Sequence, residues 1–286
     1  ERNWARALNL IVHENWKYKD SDLSENIWKK LSEENRGLFQ EMTGVCTAIS
    51  MGLSVEPPDD ACREKEPLGI WMQDQWNIFV NKAGYKGDLP KIKGIGFVDQ
   101  FLQLQSQALY TNNASSAVIS YVGKLKGYRY VAEAAHDPEI ERLLDQAYRE
   151  IETGLIKQLH VFPKDQQELA RRAKEKYQDT RIKDSVERHA RDPLRKLAPD
   201  ERLIAPARIA VKSGILPEAL AVGIAAALYY EDEKDESACR LAVLRREKGE
   251  AFVLREICGL EEGGVLESLI LQQLPRIQRL FCQDKK

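Results

Sequence analysis

Between Asp137 and Leu159 the chain reads DPEIERLLDQAYREIETGLIKQL. Ile140, Leu143, Leu144, Ala147, Ile151, Leu155 and Leu159 recur there at steps of three and four, with charged residues between them. That period lays every apolar side chain along one stripe of an α-helix and does not suit a strand. Asp137 followed by Pro138 supplies the start: a carboxylate that accepts from the first free N–H groups, and a proline whose missing N–H costs nothing at the first helical position. The pattern predicts further helices over about 164–178 and 200–213. Another follows Pro217, through Leu220, Ile224, Ala227 and Leu228, and the last three cover about 237–247, 249–257 and 265–282. YEDEKDE (230–236) reads as a solvated acidic loop. From about residue 97 onward the chain is expected to be nearly all helix, without an internal repeat.

The first hundred residues read differently. LNLIVH (8–13) is a short continuous apolar run, as in a strand buried on both faces. Residues 19–41 predict a helix, with Ser24 near its start and Ile27, Leu31 and Leu38 on one side. GVCTAISMGLSV (44–55) is β-prone, EPPDDACREKEP (56–67) is a proline-bounded polar linker, LGIWMQDQWNIFV (68–80) is rich in tryptophan and β-branched residues, and AGYKGDLPKIKGIG (83–96) reads as loop. KGIG (93–96) lacks the third glycine of a dinucleotide fingerprint and does not join a strand to a helix, so Gly94 and Gly96 read as turn residues.

Composition narrows the function classes. With 43% hydrophobic residues in 286, the chain can bury a large core in one or two domains. Lys plus Arg number 43 against 45 Asp plus Glu, which leaves no basic footprint, so no nucleic-acid partner is expected. No segment approaches the ~20 apolar residues that cross a bilayer, and ERNWARALNLIV has no signal-peptide cleavage pattern. The five cysteines follow no CxxC spacing and predict reduced thiols in a cytoplasmic protein. His13, His136, His160 and His189 are scattered, so no metal site is expected.

Two stretches carry more than composition. VERHARDPLRKLAPDERLIAPARIA (186–210) gathers Arg188, Arg191, Arg195, Lys196, Arg202 and Arg208, partly neutralised by Glu187, Asp192, Asp200 and Glu201. It reads either as a charged helix end held by ion pairs or as an anion site, since guanidinium forks suit planar recognition of phosphate or carboxylate. QALYTNNASSAV (107–118) sets asparagines, a threonine and serines between apolar helical stretches, where such side chains compete with the helix backbone. It is either a loop or a place where the fold needs those groups.

RIKDSVERHARDPLRKLAPDERLIAPARIAVKSGILPEALAVGIAAALYY (181–230) resembles the C-terminal domain of the mannitol-1-phosphate 5-dehydrogenases, members of the polyol-specific long-chain dehydrogenases, and LNLIVHEN, GYKGDLPKI and SYVGKLKGY extend the resemblance over most of the chain. The resemblance implies a fold that is mainly α. Residues 1–66 would be a remnant of a Rossmann-type domain with its linker, and 67–286 a multihelical substrate domain. It also implies NAD-dependent interconversion of a polyol phosphate and a ketose phosphate, without metal. The family's base is a lysine in a Lys-x4-Asn-x2-His pattern on one helix, where the asparagine donates to the developing alkoxide and the lysine takes the proton.

Aligned back from SYVGKLKG, those three positions fall on Ala108, Asn113 and Ser116. The asparagine is present; the lysine and the histidine are not, and neither a methyl group nor a neutral hydroxyl is a base near pH 7. Met51 and Gly52 stand where the family carries an Asp-Arg pair. Glu14, Asn15, Arg188 and Lys196 match substrate-contacting or site-bordering positions. The cofactor-binding glycines are not in this chain, so no NAD is expected on it as given. Three expectations follow: a degenerate relative that still binds a sugar or polyol phosphate; an active oxidoreductase whose Rossmann domain is missing from this chain, with Lys124 or Tyr110 as a substitute base; or an assembly partner, to another protein or to itself, through the edge of the N-terminal strand.

Overall fold

In the computed structural model, residues 7–13, 19–52, 54–55, 64–66, 68–73 and 77–283 are described. They fall into two compact units, Glu1–Ser106 and Gln107–Lys286.

The first unit is built on a sheet of order β1-β2-β5-β6, formed by β1 (Leu8–His13), β2 (Thr43–Ser50), β5 (Ile78–Asn81) and β6 (Ile95–Val98). Two short strands, β3 (Ser54–Val55) and β4 (Trp71–Met72), pair separately. β1 and β2 are parallel, from Leu8 opposite Thr43 to His13 opposite Ala48. The crossover between them holds helices at Lys19–Lys30 and Glu33–Met42, in place of the single helix expected over 19–41. β2 pairs antiparallel with β5, which pairs parallel with β6. The strands at 78–81 and 95–98, which the sequence grouping set with the helical region, therefore belong to this sheet. Cys46, Ala48 and Val80 form its small core, with Ile78, Tyr85, Ile95 and Phe97 packed around them.

β1 does not meet the expectation of a strand buried on both faces. Leu8 and Ile11 are 43% and 44% exposed, because β1 pairs on one side only among the described residues. Asn9 of β1 accepts from the Lys86 N–H and donates to the Lys86 carbonyl, both at 2.9 Å, which fastens the strand to the turn beyond β5. Glycine is required at that crossing: a Cβ on Gly44 would lie 2.1 Å from Asn9 Oδ1, and one on Gly84 would lie 2.3 Å from the Val45 carbonyl oxygen.

The second unit is helical throughout, as its periodicity predicts. Its helices cover Ala114–Leu125, Val131–Ala135, Pro138–Leu159, Pro163–Gln178, Val186–Ala190, Pro193–Lys196, Ile204–Lys212, Glu218–Leu228, Glu236–Lys248, Glu250–Glu256 and Val265–Gln283. Glu218–Leu228 sits at the centre, with every residue from Ala219 to Leu228 buried. It packs against Ala114–Leu125, Pro138–Leu159 and Val265–Gln283. Gly223 permits the closest approach, since a Cβ there would lie 2.7 Å from Val118 Cγ2.

Two carboxylates anchor these helices. Asp137 caps Pro138–Leu159 by accepting from the Glu139 and Ile140 N–H groups at 2.9 and 3.1 Å, and takes Tyr128 and Lys126 on its other oxygen. Glu150 is 4% exposed and accepts from the Ala219 and Leu220 N–H groups at 2.9 and 3.1 Å, so it satisfies the start of the central helix from another helix. Burial pushes the Glu150 carboxyl above its usual range, although the bonds to Ala219, Leu220 and Gln146 pull it down.

Replacing Asp137 by alanine is expected to cost about 1–2 kcal/mol of unfolding free energy through the lost cap, read by urea denaturation. Burial opposes ionisation of Asp137, but the bonds from Lys126, Tyr128, Ile140 and Glu139 outweigh it and hold the carboxyl at about 2. That stabilisation is complete above the usual aspartate value and is lost as pH falls toward 2, so the wild-type advantage over Asp137→Ala shrinks through that window. Glu150 has the opposite sign: the wild type gains relative to Glu150→Gln as pH falls from neutral toward 4.5, and Glu150→Ala leaves two buried N–H groups unpaired at about 2 kcal/mol or more.

Candidate functional site

The polar run at 107–118 is helix, not loop. Phe101–Ala108 is α-helical, Leu109–Asn113 is one π-helical turn, and Ala114–Leu125 continues as α-helix. A π-turn widens the backbone ring and leaves carbonyls looking for donors, and such turns recur at functional sites. Ser115 Oγ donates to the Thr111 and Asn112 carbonyls at 2.8 and 2.9 Å, Ser116 Oγ donates to the Asn113 carbonyl at 3.1 Å, and the Tyr177 hydroxyl reaches the Asn112 carbonyl at 3.0 Å. Thr111 Oγ1 accepts from Gln166, which in turn accepts from Gln107. The small polar side chains are therefore the hydrogen-bond supply of a buried, widened turn.

Of the three positions of the family pattern, Ala108 is half-buried at the end of its helix, Asn113 is half-buried at the end of the π-turn, and Ser116 is buried one turn further on. The Asn113 amide makes no cap bond to the following helix. Both substitute bases are engaged: Lys124 holds Glu187 at 2.8 Å, and the Tyr110 hydroxyl donates to the Asp200 carbonyl at 3.4 Å. Glu14 and Asn15 lie outside the described residues. Met51 and Gly52 follow β2 in the other unit.

The basic stretch 186–210 is largely an ion-pair lattice. Arg195 binds Asp192 at 2.5 Å and Glu201 at 3.4 Å, Arg202 binds Glu201 at 3.0 Å, and Arg208 reaches the Cys258 and Gly259 carbonyls. Arg188 lays its Nε and Nη2 on Asp184, which leaves Nη1 uncommitted among the described residues on a side chain 42% exposed. Lys196 differs: it is 3% exposed and has carbonyls rather than carboxylates for company, His189 at 2.5 Å and Arg191. Burial, with Arg202 and Arg195 beside it, pushes the Lys196 amine down to about 6. Arg188 and Lys196 thus meet at one short segment, Lys196 gripping the carbonyl of the residue after Arg188. Tyr177 joins that segment to the π-turn, since its ring stands edge-on to His189 at 5.9 Å while its hydroxyl holds Asn112.

Sequence reasoning missed Asp184, His189, Tyr177 and Gln166. Only the Asp184–Arg188 pair left a signal, its spacing of four along the chain; Tyr177 and Gln166 come from a helix whose placement no local pattern shows. Gly94 is a turn residue at φ +85° leading into β6, Gly96 lies within β6 against Phe79, and no glycine-rich turn joins a strand's end to a helix among the described residues. Nor do three His, Cys, Asp or Glu side chains converge as a metal set among the described residues. No helix there is long and apolar enough to cross a membrane.

Comparison with known proteins gives this arrangement its relatives. The profile of the mannitol dehydrogenase C-terminal domain matches residues 102–254. The mannitol-1-phosphate 5-dehydrogenase of Bacillus subtilis (strain 168) is 33% identical over 274 residues, covering 96% of this chain and 71% of the relative. That of Bacillus pumilus (strain SAFR-032) is 32% identical over 278 residues, covering 96% and 72%. Among solved structures, a Pseudomonas fluorescens mannitol 2-dehydrogenase in ternary complex with NAD and D-mannitol superposes with a TM-score of 0.71 at 14% identity, and a substrate-free D-sorbitol dehydrogenase with 0.74 at 15%. The chain covers 62% of the length of each of those two, and at such identity they speak for the fold alone. The described helices, the profile and the curated relatives agree: the chain belongs to the mannitol-1-phosphate 5-dehydrogenase family of polyol dehydrogenases.

Proposed function

We propose that this chain binds a sugar or polyol phosphate, as its relatives' name suggests, and does not itself oxidise it. The observation that carries the reading is the pair of side chains where the family places lysine and histidine: Ala108 ends in a methyl group, and Ser116 spends its hydroxyl on the Asn113 carbonyl. An alcohol cannot give up hydride until its proton has an acceptor, and losing a general base costs roughly 10²–10⁴ in rate. Lys124 and Tyr110 offer no relief while held by Glu187 and Asp200. The anion-recognising part is better kept. Arg188 presents a guanidinium edge, and an arriving phosphate favours the charged form of Lys196, whose burial otherwise depresses it. No step of this reading runs through NAD.

A second reading is favoured by β1. Its outer edge pairs with nothing among the described residues, and beside it lies a groove of about 320 Å³ lined by Leu8, Leu10, Ile27, Leu31, Leu38 and Phe39 among others. An apolar edge of this kind accepts a further strand, from another polypeptide or a second copy, and would make the chain an assembly partner.

Mannitol 1-phosphate at about a hundred times its dissociation constant is expected to raise the melting temperature by several degrees, while mannitol alone leaves it unchanged. No NADH should form above the blank. No shift with the phosphate at millimolar concentration overturns the binding half, and NADH formation overturns the other. Arg188→Lys keeps the charge but loses the fork, and is expected to weaken the phosphate about tenfold. For the second reading, light scattering that finds a compact monomer at high concentration removes self-association.

A further inference from the structure

One carboxylate at the edge of this site serves two partners. Asp184 is 3% exposed; its two oxygens take the Arg188 fork, and Oδ2 also takes His189 Nε2 at 2.5 Å. The bond at Nε2 fixes the histidine's proton there in the neutral ring and leaves the lone pair on Nδ1. The charged and titratable groups on the elements packed around His189 sit on three segments. Asp184 and Arg188 lie on its own, with Lys196 held on the His189 carbonyl. From the helix Pro163–Gln178 come Tyr177, edge-on to the ring, and Lys176, whose ammonium lies over the Tyr177 ring at 4.9 Å. From the helix Ala114–Leu125 comes Lys124, already taken by Glu187.

The charge at Asp184 turns on the His189 proton, beside whatever Lys196 contributes. While the imidazole is neutral, Asp184 cancels Arg188, and an anion approaching the open edge of the guanidinium meets a pair with no net charge. A proton on His189 leaves the same carboxylate shared between two cations. The cluster then gains a unit of positive charge, and Oδ2, which both partners use, is drawn toward the imidazolium.

We propose that His189 sets the pH at which this site takes an anion, so that a phosphate monoester or comparable dianion binds at Arg188 more tightly once the imidazole is charged. The inference rests on the reading that Arg188 receives the ligand's anionic group. Burial holds the His189 ring below the ordinary imidazole range, against the pull of Asp184. The change therefore falls on the acid side of neutrality, and bound anion moves it upward by reciprocity.

Sulfate is the suitable probe, because it stays a dianion from pH 5 to 8 while a phosphate monoester changes its own charge there. Calorimetric titration of the whole chain is expected to give sulfate binding about tenfold tighter at pH 5.5 than at pH 7.5, the effect of a unit charge several ångströms away in a half-buried setting. His189→Gln keeps an amide donor for Asp184 but does not titrate, and is expected to reduce the slope, leaving only the part that the buried Lys196 amine contributes. In the wild type, sulfate should raise the His189 titration midpoint, followed by NMR of the imidazole, by about one unit. A flat wild-type profile, or an unchanged slope in His189→Gln, overturns the inference alone. Failure of both sulfate and mannitol 1-phosphate to bind at either pH overturns the ligand reading, and this inference with it.

Discussion

The helical unit depends on burying one helix from all sides. Glu218–Leu228 is apolar around its whole circumference, so it is stable only when other helices wrap it. That enclosure makes two demands. Its neighbours must come close, which Gly223 against Val118 allows, and its first N–H groups, sealed from water, must find acceptors inside the protein. Glu150 meets the second demand from the neighbouring helix Pro138–Leu159, whose own start is held by Asp137. The two carboxylates answer the same problem with opposite shifts, because Glu150 is enclosed among apolar groups while Asp137 is shared with a lysine and a tyrosine.

The candidate site grows out of that packing. Helix Ala114–Leu125 lies along the central helix, and the chain entering it makes a π-turn rather than a regular one. Once the turn is widened, its carbonyls call for donors, and Ser115, Ser116 and Tyr177 supply them. The π-turn is thereby held by hydrogen bonds of its own and neighbouring side chains, the Ser116 hydroxyl among them. The cationic segment beside it is held in large part by acids, while Lys196 and Arg208 bond to carbonyls.

Much of this was legible in the residues. The period of three and four gave the longer helices from Pro138 onward nearly to their ends, and the Asp-Pro pair gave the start of Pro138–Leu159, because an isolated amphipathic helix carries its own signal; the short helices Val131–Ala135, Val186–Ala190 and Pro193–Lys196 had no such period. Other features were not legible. LNLIVH looked like a doubly buried strand, but apolarity says that a strand wants cover and not whether it has it; among the described residues β1 pairs on one side, and Leu8 and Ile11 stay exposed. QALYTNNASSAV offered loop or helix with equal force, since serine and asparagine suit both and a π-turn has no sequence period of its own.

The sequence by itself determined the fold class and the family, because these depend on periodicity and order along the chain. Tertiary structure alone decided the pairing of charges: that Arg188 is half spent on Asp184, that His189 shares that carboxylate, that Lys196 is buried on carbonyls, and that Tyr177 links them to the π-turn. The reason is physical. A side chain's charge and reach are local properties, but its partner and its exposure to water are set by which helices lie against one another, and the electrostatics of a site is a sum over those neighbours.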